Sequence, residues 1–327
     1  MSGMIETIDL KYLGLPGAIA SYLLRGPDGY ALVEAGPGST FEELKKGLAA
    51  RGVGLDDIRD VLVTHIHLDH AGAAGMLARH GARVWVHEEG AKHLIDPTKL
   101  IDSATRIYGN QMDRLWGKII PIPASQVMPV KNGDVIDVAG MRLTALQTPG
   151  HAKHHHAFVM EDDGERIAFV GDAAGIVLPR EAWTGTENHN GKWSRFLIVP
   201  TPPPEFDREA WKQSLAKLRE TELYAIYLTH YGRCNDVNSL LSEVEAQIEE
   251  QTARIGSEIK RDAKREEILE GTRRMERERA REAGLSEWAI SQYVSNNLLT
   301  MNVDGILRYW MKKIPELRPQ NTESCGS

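Results

Sequence analysis

Apolar and polar positions alternate in short blocks over the first 230 residues, and the block lengths predict alternating strands and helices. Ala18–Leu24 and Tyr30–Glu34 read as neighbouring strands joined by the turn Gly26-Pro-Asp-Gly29. Phe41–Ala50 has helical spacing, with Ser39 or Thr40 before it as a cap. Arg59–Thr64 is a buried-strand pattern, and Ala71–Arg79 after it is small, apolar and helix-like. Arg83–His87 reads as another strand, and Glu88 to about Leu115 as helix broken at Pro97. Two hairpins follow: Val135–Val138 with Met141–Gln147 across Ala139-Gly140, and Ala157–Met160 with Ile167–Val170 across Asp162-Asp-Gly164. Asp207 should cap a helix running to about Arg219, and Leu223–Leu228 should be a last strand. Hairpins demand antiparallel pairs, which disfavours a purely parallel doubly wound sheet and favours strands in two layers with helices outside.

From about Val237 the strand signal stops. Residues 258 to 282 are dense in Glu, Lys and Arg, the pattern of a solvated helix face. A second helical stretch carries Trp288, Tyr293, Leu298, Leu299, Ile306, Leu307 and Trp310, with Ser286 and Asn302 as expected caps. Those apolar residues need a surface to bury against, whether the protein's own core, a substrate which the helices cover as a lid, or a second copy in a homodimer. The expected division is a catalytic domain over 1–235, a helical extension over 236–316 and a flexible tail over 317–327.

The 327 residues include 46 acidic and 39 basic side chains, a net charge of −7. That balance gives no general attraction to nucleic acid or an anionic membrane. No apolar run has the length of a membrane span, and MSGMIETIDL lacks the basic-then-apolar pattern of a signal peptide. Cys234 and Cys325 are too few for a disulfide framework. The expected compartment is the cytoplasm and the expected partner a small-molecule substrate.

The chemistry is concentrated where the third strand pattern ends. Thr-His-Ile-His-Leu-Asp-His places His65, His67, Asp69 and His70 at one strand-to-helix junction. Imidazole and carboxylate together suit zinc, iron or manganese, and packing does not explain this spacing. His65 and His67, two apart in extended chain, point the same way, and Asp69 suits a helix N-terminus. Three more apolar strands stop at a metal-binding residue type: Thr148-Pro-Gly-His151, Gly171-Asp172 and Thr229-His230. The recurrence at strand ends is the strong signal, because such ends can converge on one edge of a sandwich.

The ordered set THIHLDH, TPGH, GD and TH resembles the metallo-β-lactamase superfamily over residues 60 to 230. The resemblance implies an α+β fold, an αββα four-layer sandwich, here with a helical C-terminal extension. It implies that His65, His67 and His151 bind one metal, that Asp69, His70 and His230 bind a second, and that Asp172 bridges them. Two divalent ions are then the cofactor, zinc by default and iron or manganese as alternatives. A bridging hydroxide would attack an acyl carbon, with Asp69 orienting or deprotonating the water and Tyr231 a candidate donor to the oxyanion. The resemblance gives His155 the task of orienting a ligand. The long connection after Asp172 supplies Trp183, His189, Trp193 and Arg195 as candidate substrate contacts.

Within that family, the zinc β-lactamases resemble this chain but carry a signal peptide and a cysteine where Asp172 stands. RNA-processing members carry an RNA-binding arm, and the oxygen-reducing flavoproteins a flavin domain; neither pattern is visible. The expected activity is therefore hydrolysis of a thioester, lactone or related ester, similar to the glyoxalase II and lactonase branches. The tail lacks the basic pattern of a glutathione-binding glyoxalase II. Three alternatives stand beside it: a mononuclear iron persulfide dioxygenase, β-lactam hydrolysis as a main or side activity, and a signalling or effector protein on the same fold.

Overall fold

A computed structural model of the protein describes residues 5–178 and 195–314. The first sheet begins with β1 (Ile5–Asp9), β2 (Ala20–Gly26) and β3 (Gly29–Val33), an antiparallel meander. Helix α1 (Phe41–Ala49) then returns the chain to β4 (Ile58–Leu62), parallel to β3. The His65–His70 motif runs into two short helices, α2 (Leu68–Ala71), which carries Asp69 and His70, and α3 (Ala74–Arg79), and then comes β5 (Arg83–His87). Helices α4 (Glu88–Ile95), α5 (Thr98–Tyr108) and α6 (Met112–Leu115) lead to β6 (Val127–Val130), giving the order β1-β2-β3-β4-β5-β6. Asp96-Pro97 separates α4 from α5, as a proline break should.

The second sheet opens with the two expected hairpins, β7 (Val135–Val138) with β8 (Met141–Gln147), and β9 (His156–Asp162) with β10 (Glu165–Gly171). A two-residue pair follows, β11 (Ile176–Val177) with β12 (Leu197–Ile198). Helix α7 (Arg208–Glu220), capped by Asp207 accepting from the Ala210 N–H at 3.0 Å, delivers β13 (Ala225–Leu228) parallel to β10. A short β14 (Gly232–Cys234) closes the edge. The order β14-β13-β10-β9-β8-β7 makes both sheets mixed and six-stranded.

Three buried clusters define the layers. Tyr22, Leu24 and Val33 of the first sheet meet Leu143, Phe158 and Phe169 of the second in the middle. Leu44, Leu48, Leu77 and Leu94 cover the outer face of the first sheet. Trp211, Leu215, Leu218 and Leu240 cover the outer face of the second. This is the αββα sandwich, an α+β fold.

The extension is all helical: α8 (Val237–Ile259), α9 (Arg265–Glu282), α10 (Glu287–Tyr293) and α11 (Asn296–Lys313). Most of its apolar residues pack into the protein itself, and Ile248, Ile255, Ile268, Val303 and Ile306 share the cluster of Trp211, whereas Trp288 stays 53% exposed. Ser286 caps α10, accepting from the Ala289 N–H at 3.1 Å. Asn302 is no cap. Ser295 starts α11, and Asn302 lies buried inside it, 4% exposed. Among the described residues no helix is long and apolar enough to cross a membrane.

Candidate metal centre

The four chemistry-bearing segments follow the ends of β4, β8, β10 and β13. The parallel pairing of β10 with β13 puts Asp172 and His230 at one end of the sheet. Two glycines make the close approaches possible. At Gly150, φ is +142° and a Cβ would lie 2.3 Å from Trp211 Cβ. At Gly171, φ is +49° and a Cβ would lie 2.4 Å from Thr64 Oγ1 and 2.7 Å from His155 Nε2. Helix α7 fastens both loops: Trp211 Nε1 donates to Ala173 O at 2.8 Å and Ser214 Oγ to Pro149 O at 2.6 Å.

All seven predicted donors come together. His67 Nδ1 is 2.9 Å from both His65 Nε2 and His151 Nε2. Asp172 spans two groups, with Oδ2 3.3 Å from His151 Nε2 and Oδ1 3.3 Å from His70 Nε2. His230 Nε2 is 3.4 Å from Asp69 Oδ2 and 3.6 Å from Asp172 Oδ1. Three trios, His65–His67–His151, His65–His70–Asp172 and Asp69–His70–His230, each bring their donor atoms within 4.8 Å of one another.

The far side of each ring shows which nitrogen faces inward. His151 Nδ1 donates to Pro200 O at 3.0 Å and His230 Nδ1 to Ala18 O at 2.8 Å. His70 Nδ1 donates to Glu34 Oε1 at 3.1 Å. Thr64 Oγ1 donates to the same oxygen at 2.5 Å, which leaves it to accept from His65 Nδ1 at 3.1 Å. With the outer nitrogens of His65, His70, His151 and His230 carrying protons, their inner nitrogens are the ones free to bind a metal. Burial holds His65, His67 and His151 below the usual imidazole range, so these three are neutral. A proton on His67 Nδ1 could serve only one of the two acceptors 2.9 Å away, whereas a cation between the three rings would satisfy all of them. His70 Nε2 and Asp172 Oδ1 are buried with no hydrogen-bond partner, and bound cations would satisfy both. The donor set therefore fits two divalent metal ions.

The second group holds protons in their absence. Burial works against the charged imidazolium, but Asp172, Glu34 and Asp69 raise His70 well above its usual range, and Asp172 with Asp69 raises His230. Burial would raise Asp69 and Asp172, yet the facing imidazoles pull both carboxyls below the usual range. A metal must displace the protons of His70 and His230, so affinity should climb with pH. Because both values are raised, the climb should continue above about pH 7, where an ordinary histidine has lost most of its proton. Zinc competition against a chromophoric chelator from about pH 6 to 8.5 checks this; affinity flat above about pH 7 would contradict it.

Other expectations fare differently. His155 Nε2 accepts from the Asp172 N–H at 3.2 Å, and its Nδ1 meets Thr148 Oγ1 at 2.8 Å, so it braces the Asp172 backbone. Tyr231 packs against the core between the sheets and does not line the cavity over the cluster. Two other tyrosines, Tyr12 and Tyr108, do line it. Burial, then the Asp69 charge, raises both phenols above their ordinary range. Arg195 is not a substrate contact either: its guanidinium is spent on Asp236, Ser239 and Glu243 at 2.9 to 3.2 Å. Trp183, His189 and Trp193 lie outside the described residues. Cys234 Sγ is 3.4 Å from Arg195 and away from the metal donors.

Two participants lie outside the motifs. Glu34, 1% exposed at the end of β3, also accepts from Thr229 Oγ1 at 3.1 Å, tying two of the four segments to one carboxylate through this bond and those to Thr64 and His70. The signal was present in Tyr-Ala-Leu-Val-Glu, an apolar strand ending in a charge. His154, which burial lowers to about 4, faces Glu205 Oε2 at 3.3 Å on the cavity wall.

The cavity above the cluster encloses about 690 Å³, with His67, Asp69, His151, Asp172 and His230 exposed to it. Its walls are mainly apolar: Leu68, Leu100 and Ile107 on one side, Leu178, Leu298 and Met301 on the other. Helices α10 and α11 form part of that wall, and Tyr108 OH meets Met301 Sδ at 3.0 Å across it.

Comparison with known proteins adds to this geometry. A sequence profile of the metallo-beta-lactamase superfamily matches residues 14–230. The chain is 25% identical over 267 residues to the metallo-beta-lactamase fold-containing protein ST1585 of Sulfurisphaera tokodaii, covering 79% of this chain and 92% of that one. It is 33% identical over 126 residues to the atrochrysone carboxyl ACP thioesterase of Passalora fulva, covering 38% of this chain and 28% of that protein. Among solved structures, the metallo-beta-lactamase family protein TTHA1429 of Thermus thermophilus superposes with a TM-score of 0.61 at 22% identity, covering 95% of this chain and 94% of that one.

Proposed function

The chain belongs to the metallo-beta-lactamase superfamily, and on that basis we propose that it is a metal-dependent hydrolase of a small-molecule thioester, lactone or related ester. One observation carries the reading: seven donors converge at the floor of an apolar cavity, with His70 Nε2 and Asp172 Oδ1 facing each other at 3.3 Å without a hydrogen bond. A full set of seven supports two ions rather than one. The thioesterase among the relatives supports acyl chemistry, though it shares little of its length with this chain.

His65, His67 and His151 would hold one ion, Asp69, His70 and His230 the other, and Asp172 both. Two divalent ions, zinc by the donor chemistry, supply Lewis acidity and a water that ionises near neutral pH. The residues do the rest. Asp69 opens onto the cavity with a quarter of its side chain exposed, so its carboxylate can orient an incoming water and take its proton. Glu34, Thr64 and Pro200 O keep the imidazole lone pairs turned inward, so the donors need little rearrangement during turnover. The apolar walls exclude bulk water around the acyl group.

The test is a panel of thioester, lactone and β-lactam substrates on protein loaded with zinc, manganese or iron, with metal counted per chain. Two ions per chain and turnover of a thioester or lactone are expected. Asp69→Ala should lower that turnover by about 10²-fold or more with an unchanged circular dichroism spectrum. One iron per chain with oxygen uptake on a persulfide would overturn the hydrolase reading.

A further inference from the structure

Two hollows meet beside the metal cluster, and their chemistries differ. One is the apolar cavity. The other, about 550 Å³, is an open groove lined by Lys11, Ser39, Thr40, Glu43, Lys46 and Arg114. Leu13 and Arg114 belong to both walls, so the groove runs into the cavity. Three cations face one carboxylate there. Glu43 is taken by Lys46 at 2.7 Å. The Lys11 and Arg114 side chains have no hydrogen-bond or ion-pair partner among the described residues. They converge on the junction from separate elements, the turn before Tyr12 and helix α6.

The backbone at this junction is unusual. Lys11 and Leu13 both sit in the left-handed region, at φ 45° and 54°, which side-chain-bearing residues seldom adopt. That turn leaves Leu13 43% exposed between the two hollows and presents Lys11 to the groove. Tyr12, between them, stacks on Trp116 at 5.9 Å and lines the metal cavity. A path from Asp69 past Tyr12 and Leu13 thus leads from an apolar chamber to unpaired positive charge.

We propose that the substrate is an amphipathic thioester whose apolar acyl chain fills the cavity and whose thiol half carries a phosphate seated on Lys11 and Arg114. The assignment rests on the hydrolase reading and narrows it. Hydrolysis joins a water oxygen to the acyl carbon and breaks the C–S bond. The sulfur leaves as the thiol with one proton of the water, and the acid product releases the other. Apolar burial supplies affinity for the acyl chain, and the cations select the thiol half and speed its capture.

The experiment compares two thioesters with the same ten-carbon acyl group, one on coenzyme A and one on uncharged N-acetylcysteamine. Wild-type kcat/KM should favour the phosphorylated thioester, and the preference should shrink as salt rises. In Lys11→Glu/Arg114→Glu the ratio of the two kcat/KM values should fall by about tenfold or more. An unchanged ratio overturns the anion site. Calorimetry with the matching non-hydrolysable decyl thioethers separates the two readings. If neither thioester is hydrolysed by metal-loaded protein, yet the phosphorylated thioether binds more tightly and the double variant erases the difference, the hydrolase reading fails and the anion site stands. Equal binding of the two thioethers removes the anion site.

Discussion

Asp172→Asn should reduce hydrolytic turnover by at least about 10³-fold and lower the metal content below two ions per chain. The carboxylate has two oxygens that face separate groups, Oδ2 at 3.3 Å from His151 and Oδ1 at 3.3 Å from His70. An amide keeps the shape but offers one oxygen and an N–H₂ that confronts an imidazole lone pair or a cation. The loss also removes the negative charge that His70 and His230 feel most strongly after burial. Their protons should then leave at lower pH, so zinc affinity in the variant should rise less steeply with pH than in the wild type. Metal analysis after dialysis, single-substrate kinetics and the pH series check these together. Two retained ions with wild-type turnover would remove Asp172 from the bridging position. A loss of turnover with both ions retained would instead limit it to orienting the reactants.

The side chains that converge at the strand ends were legible because each is announced by local pattern. An apolar strand stops, a turn follows, and a histidine or aspartate stands at a fixed offset, so His65 through His70, His151, Asp172 and His230 could all be found one segment at a time. Hairpins were legible for the same reason, their turns lying between short strands. The edge strands Ile5–Asp9 and Gly232–Cys234 were not, because no tight-turn signal flags them as Ala139-Gly140 flags the edge strand Val135–Val138. Glu34 was missed because a single carboxylate after a strand means nothing until Thr64, His70 and Thr229 arrive from distant parts of the chain. Arg195 was misassigned by proximity in sequence to Asp172, when its partners lie on the far more C-terminal Asp236, Ser239 and Glu243. Asn302 misled in a different way. Asparagine favours helix caps because its side chain competes for backbone groups, and here that same capacity serves another segment's backbone from inside a helix.

That segment is the reason Asn302→Ala should be the most damaging substitution outside the metal donors. Asn302 Oδ1 accepts from the Thr201 N–H at 2.9 Å, and its Nδ2 donates to Val199 O at 3.0 Å. Between these two residues, Pro200 O accepts from His151 Nδ1 at 3.0 Å. Nearby, Gly305 lets α11 press against the same strip; a Cβ there would lie 1.8 Å from Thr201 O. The extension therefore reaches the His151 ring by one hydrogen-bonded chain, from α11 through Val199–Thr201. Alanine at 302 leaves a buried N–H and a buried carbonyl unpaired, a cost of about 2–4 kcal/mol. It also frees the strip that fixes the His151 tautomer, for which a loss of about 10- to 100-fold in zinc affinity is expected. Asn302→Asp keeps the acceptor for Thr201 but loses the donor to Val199, and should fall between the two. Urea unfolding of metal-free protein reads the first effect, and chelator competition on folded protein the second. A variant that loses stability but binds zinc as tightly as the wild type would confine α11 to holding the fold together and detach it from His151.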